Sequence, residues 1–417
     1  MAKKKAPAKV SRLDALNKAK MAHQFDVGAG GSIYFDPEMS HVRGIRLPSL
    51  WFMELLGFTA MRDSCSILID GQPGSSKSSL SLEMFNWIRQ YGGSGAYFDA
   101  ENKAAVDIAY GTLDDVHLWH PSHKVEFMGC STIESVQIDV ETLIKRCHAA
   151  NDGVDRDYQI PFISVIDPIS GVPSEEHLKA IDKSKGATDR GHGGRDEALL
   201  WSKWVKAHNV KIAQLPYISV MVNHEKVKQE KVGMRQVERS YNPGGIAQNY
   251  AVTIGLRCKA SSKQKISAAI DGDTYQDIWV TCTKNSRGPT GNAMCVRKYA
   301  RKLEGGYTAF WWDWDRSTAQ FLADFGPKHE SRDIIAVTKQ SDAKFSCKQL
   351  GLTNVDPSDI GKAIHEDQKL MDKLIDCFRW RRIKEYAPLT DDEYSTLTTQ
   401  ATEAKKAYRK EIADGSS

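Results

Sequence analysis

The sequence has no paired-cysteine motif, no long apolar run and little net charge. Its eight cysteines, Cys65, Cys130, Cys147, Cys258, Cys282, Cys295, Cys347 and Cys377, are scattered, and none forms a C-x-x-C. That spacing argues against a zinc site and predicts buried free thiols in a reducing cytoplasm rather than disulfides. No apolar run approaches the roughly 18 residues of a membrane span, so no membrane is expected as a partner. The opening Met1-Ala2-Lys3-Lys4-Lys5-Ala6-Pro7 has no apolar core after its lysines, which reads against a secretory signal. A net charge of +4 neither requires nor forbids nucleic acid; its distribution matters more. Internal repeats are also missing. What is left is an ordinary globular composition, 41% apolar and 26% charged. At 417 residues it suits two or three domains, or one large core with extensions.

One stretch organises the chain. Ser66-Ile67-Leu68-Ile69-Asp70 reads as a strand and runs into Gly71-Gln72-Pro73-Gly74-Ser75-Ser76, a loop of small residues. Lys77, Ser78 and Ser79 follow, then Leu80, Leu82, Met84, Phe85 and Ile88 at helical spacing. Strand, small-residue loop, Lys-Ser and helix is the architecture of a phosphate-binding P-loop. Small side chains let backbone N–H groups close around phosphate oxygens, and the helix start adds unpaired N–H groups and a favourable dipole. The usual pattern has Gly at the sixth loop position, where this chain has Ser76.

Around that stretch, strand and helix alternate. Ile45–Gly57 holds a short helix started near Pro48 and stopped at Gly57. Strands are expected at Gly95–Asp99, Val125–Met128, Pro161–Asp167 and Pro216–Val222. Helices are expected at Lys103–Tyr110, Ile133–His148 and Glu197–His208. The alternation implies an α/β fold with a mostly parallel central sheet. Tyr250–Arg257, Asp277–Thr283 and Ala293–Arg301 are spaced like antiparallel strands that extend it. Residues 1–32 read as an arm and 33–325 as the core. From about Gly326 the text turns charged and helical, and 326–417 reads as a small C-terminal domain.

In such sheets ligands sit at the carboxyl ends of the strands, and the polar residues fall there. Lys77 is placed to reach the β and γ phosphates, and Ser78 to hold Mg²⁺ through its hydroxyl. Asp167 ends an apolar strand, the position of a carboxylate that orients Mg²⁺ or its water. Glu101 follows a strand and is placed to polarise an attacking water. Asn223-His224 ends another, with His224 placed to sense the γ-phosphate.

The order of these motifs resembles the RecA family of recombination ATPases. That family has a P-loop, then a strand ending in Asp-Ala-Glu, matched by Asp99-Ala100-Glu101. A strand ending in Asp follows, matched by Asp167, and then one ending in Asn-Gln or Asn-His, matched by Asn223-His224. Pro243-Gly244-Gly245 resembles the Gly-Gly helix start that closes the family's DNA-binding loop. Thr283-Lys284-Asn285-Ser286-Arg287 resembles the basic tip that reaches a neighbouring subunit's ATP. Gly305-Gly306-Tyr307 matches a Gly-rich turn. The likeness covers roughly residues 45–325, and the Ser-rich P-loop with His after Asn is most similar to phage recombinases of the UvsX kind. Bacterial RecA proteins typically have a second Lys where this chain has Ser286, so Arg287 would substitute.

The resemblance implies a RecA-like P-loop NTPase core with ATP and Mg²⁺ as cofactors, an N-terminal polymerisation arm and a helical filament on single-stranded DNA. Pairing and strand exchange with homologous duplex DNA would follow, with single-strand-binding and mediator proteins as further partners. Glu101 would be the general base, and Lys284 and Arg287 would act in trans. Two polar stretches would face the DNA. One is 174–195, with Lys183, Lys185, Arg190 and Arg195. The other is 224–242, with Lys226, Lys228, Lys231, Arg235 and Arg239, followed by Gly244 and Gly245. Lys and Arg there would neutralise phosphates with little sequence readout. Two other readings stand beside this one: a RecA-fold hexameric helicase or regulatory ATPase, and a non-hydrolysing DNA-binding mediator.

Three features are set aside. His117, His120 and His123 look metal-like, but Pro121 breaks any helix that would align them. Trp311-Trp312-Asp313-Trp314 reads as packing of the sheet against the C-terminal domain, with a stacking platform for bases as the alternative. Arg379-Trp380-Arg381-Arg382, with Lys384, reads as a solvated helix face, with guidance of duplex DNA as the alternative.

Overall fold

The computed structural model describes residues 43–101, 125–183, 193–232, 235–241, 251–262, 264–265, 274–302, 308–396, 399 and 403. They all fall in one compact unit, Arg43–Ser417. The expected arm and the helix at Lys103–Tyr110 lie outside the described residues, as do His117, His120 and His123.

The first elements are β1 (Arg43–Arg46), α1 (Leu50–Leu56), β2 (Ala60–Arg62), β3 (Cys65–Gly71), α2 (Lys77–Arg89) and β4 (Ser94–Asp99). Then come β5 (Val125–Gly129), α3 (Ile133–Asn151), β6 (Phe162–Asp167), α4 (Glu175–Lys183), α5 (Gly193–Ile212) and β7 (Tyr217–Val222). A hairpin of β8 (Lys226–Val232) and β9 (Arg235–Tyr241) follows. The chain continues through β10 (Ile254–Ala260), β11 (Gln264–Lys265), β12 (Thr274–Asn285), β13 (Ala293–Lys302), β14 (Thr308–Asp313) and α6 (Trp314–Phe325). It closes with β15 (Val337–Ser341), β16 (Lys344–Cys347), β17 (Leu352–Val355), α7 (Pro357–Glu366), α8 (Gln368–Phe378) and β18 (Lys384–Glu385).

Local chemistry sets several boundaries. Ser49 caps α1 by accepting from the Phe52 amide at 3.1 Å, and Gly57 ends it at φ +75°. Thr132 and Ser135 form a reciprocal capping box at the start of α3.

A large mixed sheet has the order β14-β13-β12-β10-β3-β7-β6-β4-β5, with β11 on β12. From β10 to β5 every pairing is parallel; β12, β13 and β14 continue antiparallel. One expectation is corrected here: the strand of the Tyr250–Arg257 run is antiparallel to β12 but parallel to β3. A segment followed by an antiparallel strand looks the same in sequence whichever neighbour it joins first.

The parallel strands are buried on both faces, and alternate residues enter two cores. Ile67, Ile69, Val220 and Val222 face the core of α1 and α2. Leu68, Met221, Phe98 and Ile166 face the core of α3 and α5. All eight cysteines are free, as their scatter implied.

The two polar stretches are less loop-like than expected. Glu175–Lys183 is helical, and the second stretch forms the β8–β9 hairpin, where Lys228 stands opposite Arg239 in register. The text after Gly326 contains a three-stranded sheet, β15-β16-β17, besides its helices. This segment shares its core with the large sheet: Phe321 packs against Phe378 and Trp380, and β18 pairs with β1. The Trp311–Trp314 run splits by strand alternation. Trp312 is buried and stacks on Trp314, while Trp311 turns to the opposite, exposed face. The Arg379–Arg382 cluster is not a helix face: Arg379 caps the end of α8 in a left-handed conformation, Trp380 is buried and donates to Glu54, and Arg382 pairs with Asp372 and Asp376. Among the described residues, no helix is long and apolar enough to cross a membrane.

Candidate functional site

Parallel pairing puts the carboxyl ends of β3, β7, β6 and β4 side by side in that order. Gly71, Asn223, Asp167 and Asp99 therefore line one edge of the sheet, with Asp99 directly opposite Asp167 in register.

The loop from Gly71 to Ser76 closes tightly. A Cβ on Gly71 would lie 2.3 Å from the Cys258 carbonyl oxygen, so only glycine fits. Gly74 has φ +77°. Ser76, at the start of α2, has φ +67° and ψ +23°. This left-handed conformation gives a reason for glycine at that position in the usual motif, and a serine there is strained. The Ser75 hydroxyl is buried without a hydrogen-bond partner.

Lys77 opens α2 and is 4% exposed. Its Nζ donates to the Gly71 carbonyl at 2.9 Å and the Gln72 carbonyl at 2.8 Å. Burial pushes its pKa down, against the pull of Asp167, Asp70 and Glu101. Those carboxylates thus stand within electrostatic range of the ammonium. Ser78 hydrogen-bonds Asp167, which also accepts from the Tyr97 hydroxyl at 2.5 Å. Burial pushes the Asp167 carboxyl above its usual range, opposed by those two hydrogen bonds and by His224 and Lys77.

Glu101 sits just past β4, its amide donating to Asp99 Oδ1 at 3.2 Å. Its Oε1 lies 3.3 Å from His224 Nε2. His224 follows the buried Asn223, and its Nδ1 is buried without a partner. The next residue, Glu225, donates its amide to the Gly71 carbonyl at 3.0 Å, and the β8–β9 hairpin begins immediately after. Lys77, Ser78, Glu101, Asp167 and His224 are therefore gathered at one place by strands that are far apart in sequence.

Other expected residues lie elsewhere. Lys284 faces Gly255, which faces Leu68, three residues toward the amino end of β3 from Gly71. The tip after it is held against α1, with the Asn285 side-chain amide donating to the Leu56 carbonyl at 3.0 Å. Lys284 and exposed Arg287 are thus at the far edge from the Gly71–Ser76 loop of their own chain. Lys226, Lys228 and Lys231 stand on β8, and Arg235 and Arg239 on β9. Lys183 ends α4 and Arg195 lies in the first turn of α5. Lys185, Arg190, Gly244 and Gly245 lie outside the described residues.

Sequence reasoning missed three parts. Tyr97 is one, because a cross-strand partner leaves no local trace. Another is Arg257 on β10, which donates to the buried Asp70 at 2.8 and 3.3 Å and approaches Glu225 at 3.7 Å. It joins the residue before the P-loop to the root of the hairpin. The third is Lys298 on β13, and here a signal existed. Met294, Val296 and Lys298 share one phase of an alternating strand, which puts a charge among buried positions.

Ser78 and Asp167 offer two hard oxygen ligands side by side, a donor set that fits Mg²⁺ shared with substrate phosphates. Among the described residues no group of three His, Cys, Asp or Glu could hold a metal by itself. No family model matches the chain, and no curated protein matches it.

Proposed function

We propose that this protein is an ATP-dependent DNA recombinase of the RecA kind, which assembles as a filament on single-stranded DNA. The observation that carries the reading is the convergence of Lys77, Ser78, Asp167, Glu101 and His224 at the carboxyl edge of four parallel strands. A loop of backbone N–H groups, a buried lysine and a helix start suit a phosphate chain. Ser78 and Asp167 would hold Mg²⁺, which supplies charge neutralisation at the phosphates. Glu101 is exposed and within reach of His224, so it can accept a proton from water while its own backbone is anchored through Asp99.

The contact between Glu101 and His224 also supports a link to DNA. His224 stands two residues before β8, so a shift of its ring toward a bound phosphate moves the base of a hairpin rich in Lys and Arg. Those cations would bind the phosphate backbone with strong salt dependence. Lys284 and Arg287 cannot serve the P-loop of their own chain from the far edge, so they act on a neighbour's nucleotide in a filament.

The test is ATP hydrolysis with and without single-stranded DNA, beside electron microscopy of the mixture. Stimulation by DNA and helical filaments are expected, and Lys77→Ala should abolish turnover. Full hydrolysis by Lys77→Ala would refute the site, and rings in place of filaments would favour a helicase.

A further inference from the structure

β13 sends a lysine into the core. Lys298 is 8% exposed and follows Met294 and Val296 on the buried face. Its Nζ lies 3.3 Å from Ser79 Oγ, 4.6 Å from the Phe310 ring centroid and 6.0 Å from that of Trp312. Ser79 belongs to the first turn of α2, directly after Ser78. One turn further along, Glu83 accepts from Trp314 Nε1 at 2.9 Å. The flank of α2 is therefore pinned to β13 and α6 at two successive turns, and the ammonium is held against the helix start.

By itself this is a poor place for a cation. A helix N-terminus carries partial positive charge, so a lysine there opposes the dipole. Removing an ammonium from water adds a further cost. Lys77 already brings one ammonium to the same loop. Beside it, the buried Ser75 hydroxyl has no partner. Two lysines, a helix N-terminus and an unsatisfied hydroxyl thus converge on one loop, with Asp167, Asp70 and Glu101 in electrostatic range of Lys77.

We propose that Lys298 is a positioning residue for the phosphate chain of the bound nucleotide, acting in cis through Ser79. Its ammonium has only protons to give, so Ser79 Oγ must accept from it. The Ser79 hydroxyl proton is then directed away from Lys298, where it can donate to a phosphate oxygen. Such a charged donor behind a hydroxyl strengthens the outer hydrogen bond. This inference rests on the nucleotide-binding reading of the P-loop.

The experiment measures binding of a non-hydrolysable ATP analogue and thermal unfolding without nucleotide. The proteins are wild type, Lys77→Ala, Lys298→Met, Ser79→Ala and the Ser79→Ala/Lys298→Met double variant. Methionine keeps the length and removes the charge. Lys298→Met is expected to bind the analogue about tenfold more weakly, the size of one charge-assisted hydrogen bond. Thermal unfolding without nucleotide separates a purely structural loss from the loss of affinity. The double variant should lose no more affinity than either single one, because both cut the same relay. Wild-type affinity in Lys298→Met, additive losses in the double variant, or a lowered unfolding temperature with unchanged affinity would each overturn the proposal. If Lys77→Ala fails to bind while Lys298→Met binds normally, the P-loop reading survives and only the role of Lys298 falls. If wild type binds no analogue, both fall together.

Discussion

In the parallel half of the large sheet, β7 reads Tyr217-Ile218-Ser219-Val220-Met221-Val222, and every one of those side chains is buried. In the antiparallel half, β12 places Ile278 and Val280 in the core and Trp279, between them, 46% exposed. Helices cover both faces of the first region, so its strands offer chemistry only at their ends. Among the described residues, the second region leaves one face partly exposed. There Tyr275, Tyr299 and Trp311 stand opposite one another on three strands, and Arg297 lies 3.9 Å over the Tyr275 ring. Its other face joins the core shared with α1 and α2 and delivers Lys298 to Ser79. The parallel half thus builds the site, and the antiparallel half braces it from behind.

Six substitutions would break or sharpen that contrast. The largest effect is expected at a strand end. Glu101→Gln should cut ATP turnover by about 100-fold or more, the usual worth of a general base. Glu101 is exposed, so stability should change by less than about 0.5 kcal/mol. Normal turnover would remove Glu101 as the base.

Next come the two faces of the antiparallel half. Trp312→Ala should destabilise by about 3–5 kcal/mol in denaturant titrations, since the ring is 7% exposed and stacks on Trp314. Trp279→Ala should cost about 1 kcal/mol or less. Equal losses would mean that the second face is covered as thoroughly as the first.

Two buried groups, Glu83 and His208, make stability depend on pH with opposite sign. Burial lifts Glu83, on α2 against α6, to about 6. The folded state then holds more protons than the unfolded one between about pH 4.5 and 6. Stability falls by about 2 kcal/mol as pH rises through that window. Burial lowers His208, stacked on Trp204 at 4.5 Å beside Tyr217, to about 4. There the unfolded state holds more protons between about pH 4 and 6.5, so stability falls as pH drops. Glu83→Gln should flatten the first slope and His208→Leu the second, as read by denaturation at a series of pH values. An unchanged slope in either variant would exclude that residue as its source.

The smallest effect lies in the loop itself. Ser76→Gly should raise stability by about 1 kcal/mol, because glycine adopts the left-handed conformation at little cost. A loss of stability would show that the serine side chain compensates its own strain.

Much of this arrangement is legible in the residues. The strand, small-residue loop and helix around Gly71–Lys77, the carboxylates after apolar runs and the Ser49–Gly57 helix all follow from local patterns, and each element appears where those patterns put it. The parallel partner of β10 is not legible, because pairing depends on a strand more than 180 residues away. Nor is the helical or hairpin state of the two polar stretches, where charge density reads as loop although the backbone still finds partners.

The sequence by itself determined the order of elements, the small-residue loop and which residue types stand at each strand end. Those depend on spacing along the chain. Only the tertiary structure decided that Glu101 meets His224, that Tyr97 and Ser78 share Asp167, and that Lys298 stands behind Ser79. These contacts join residues that are distant in sequence, and the strand order that brings them together is set by packing of the whole sheet.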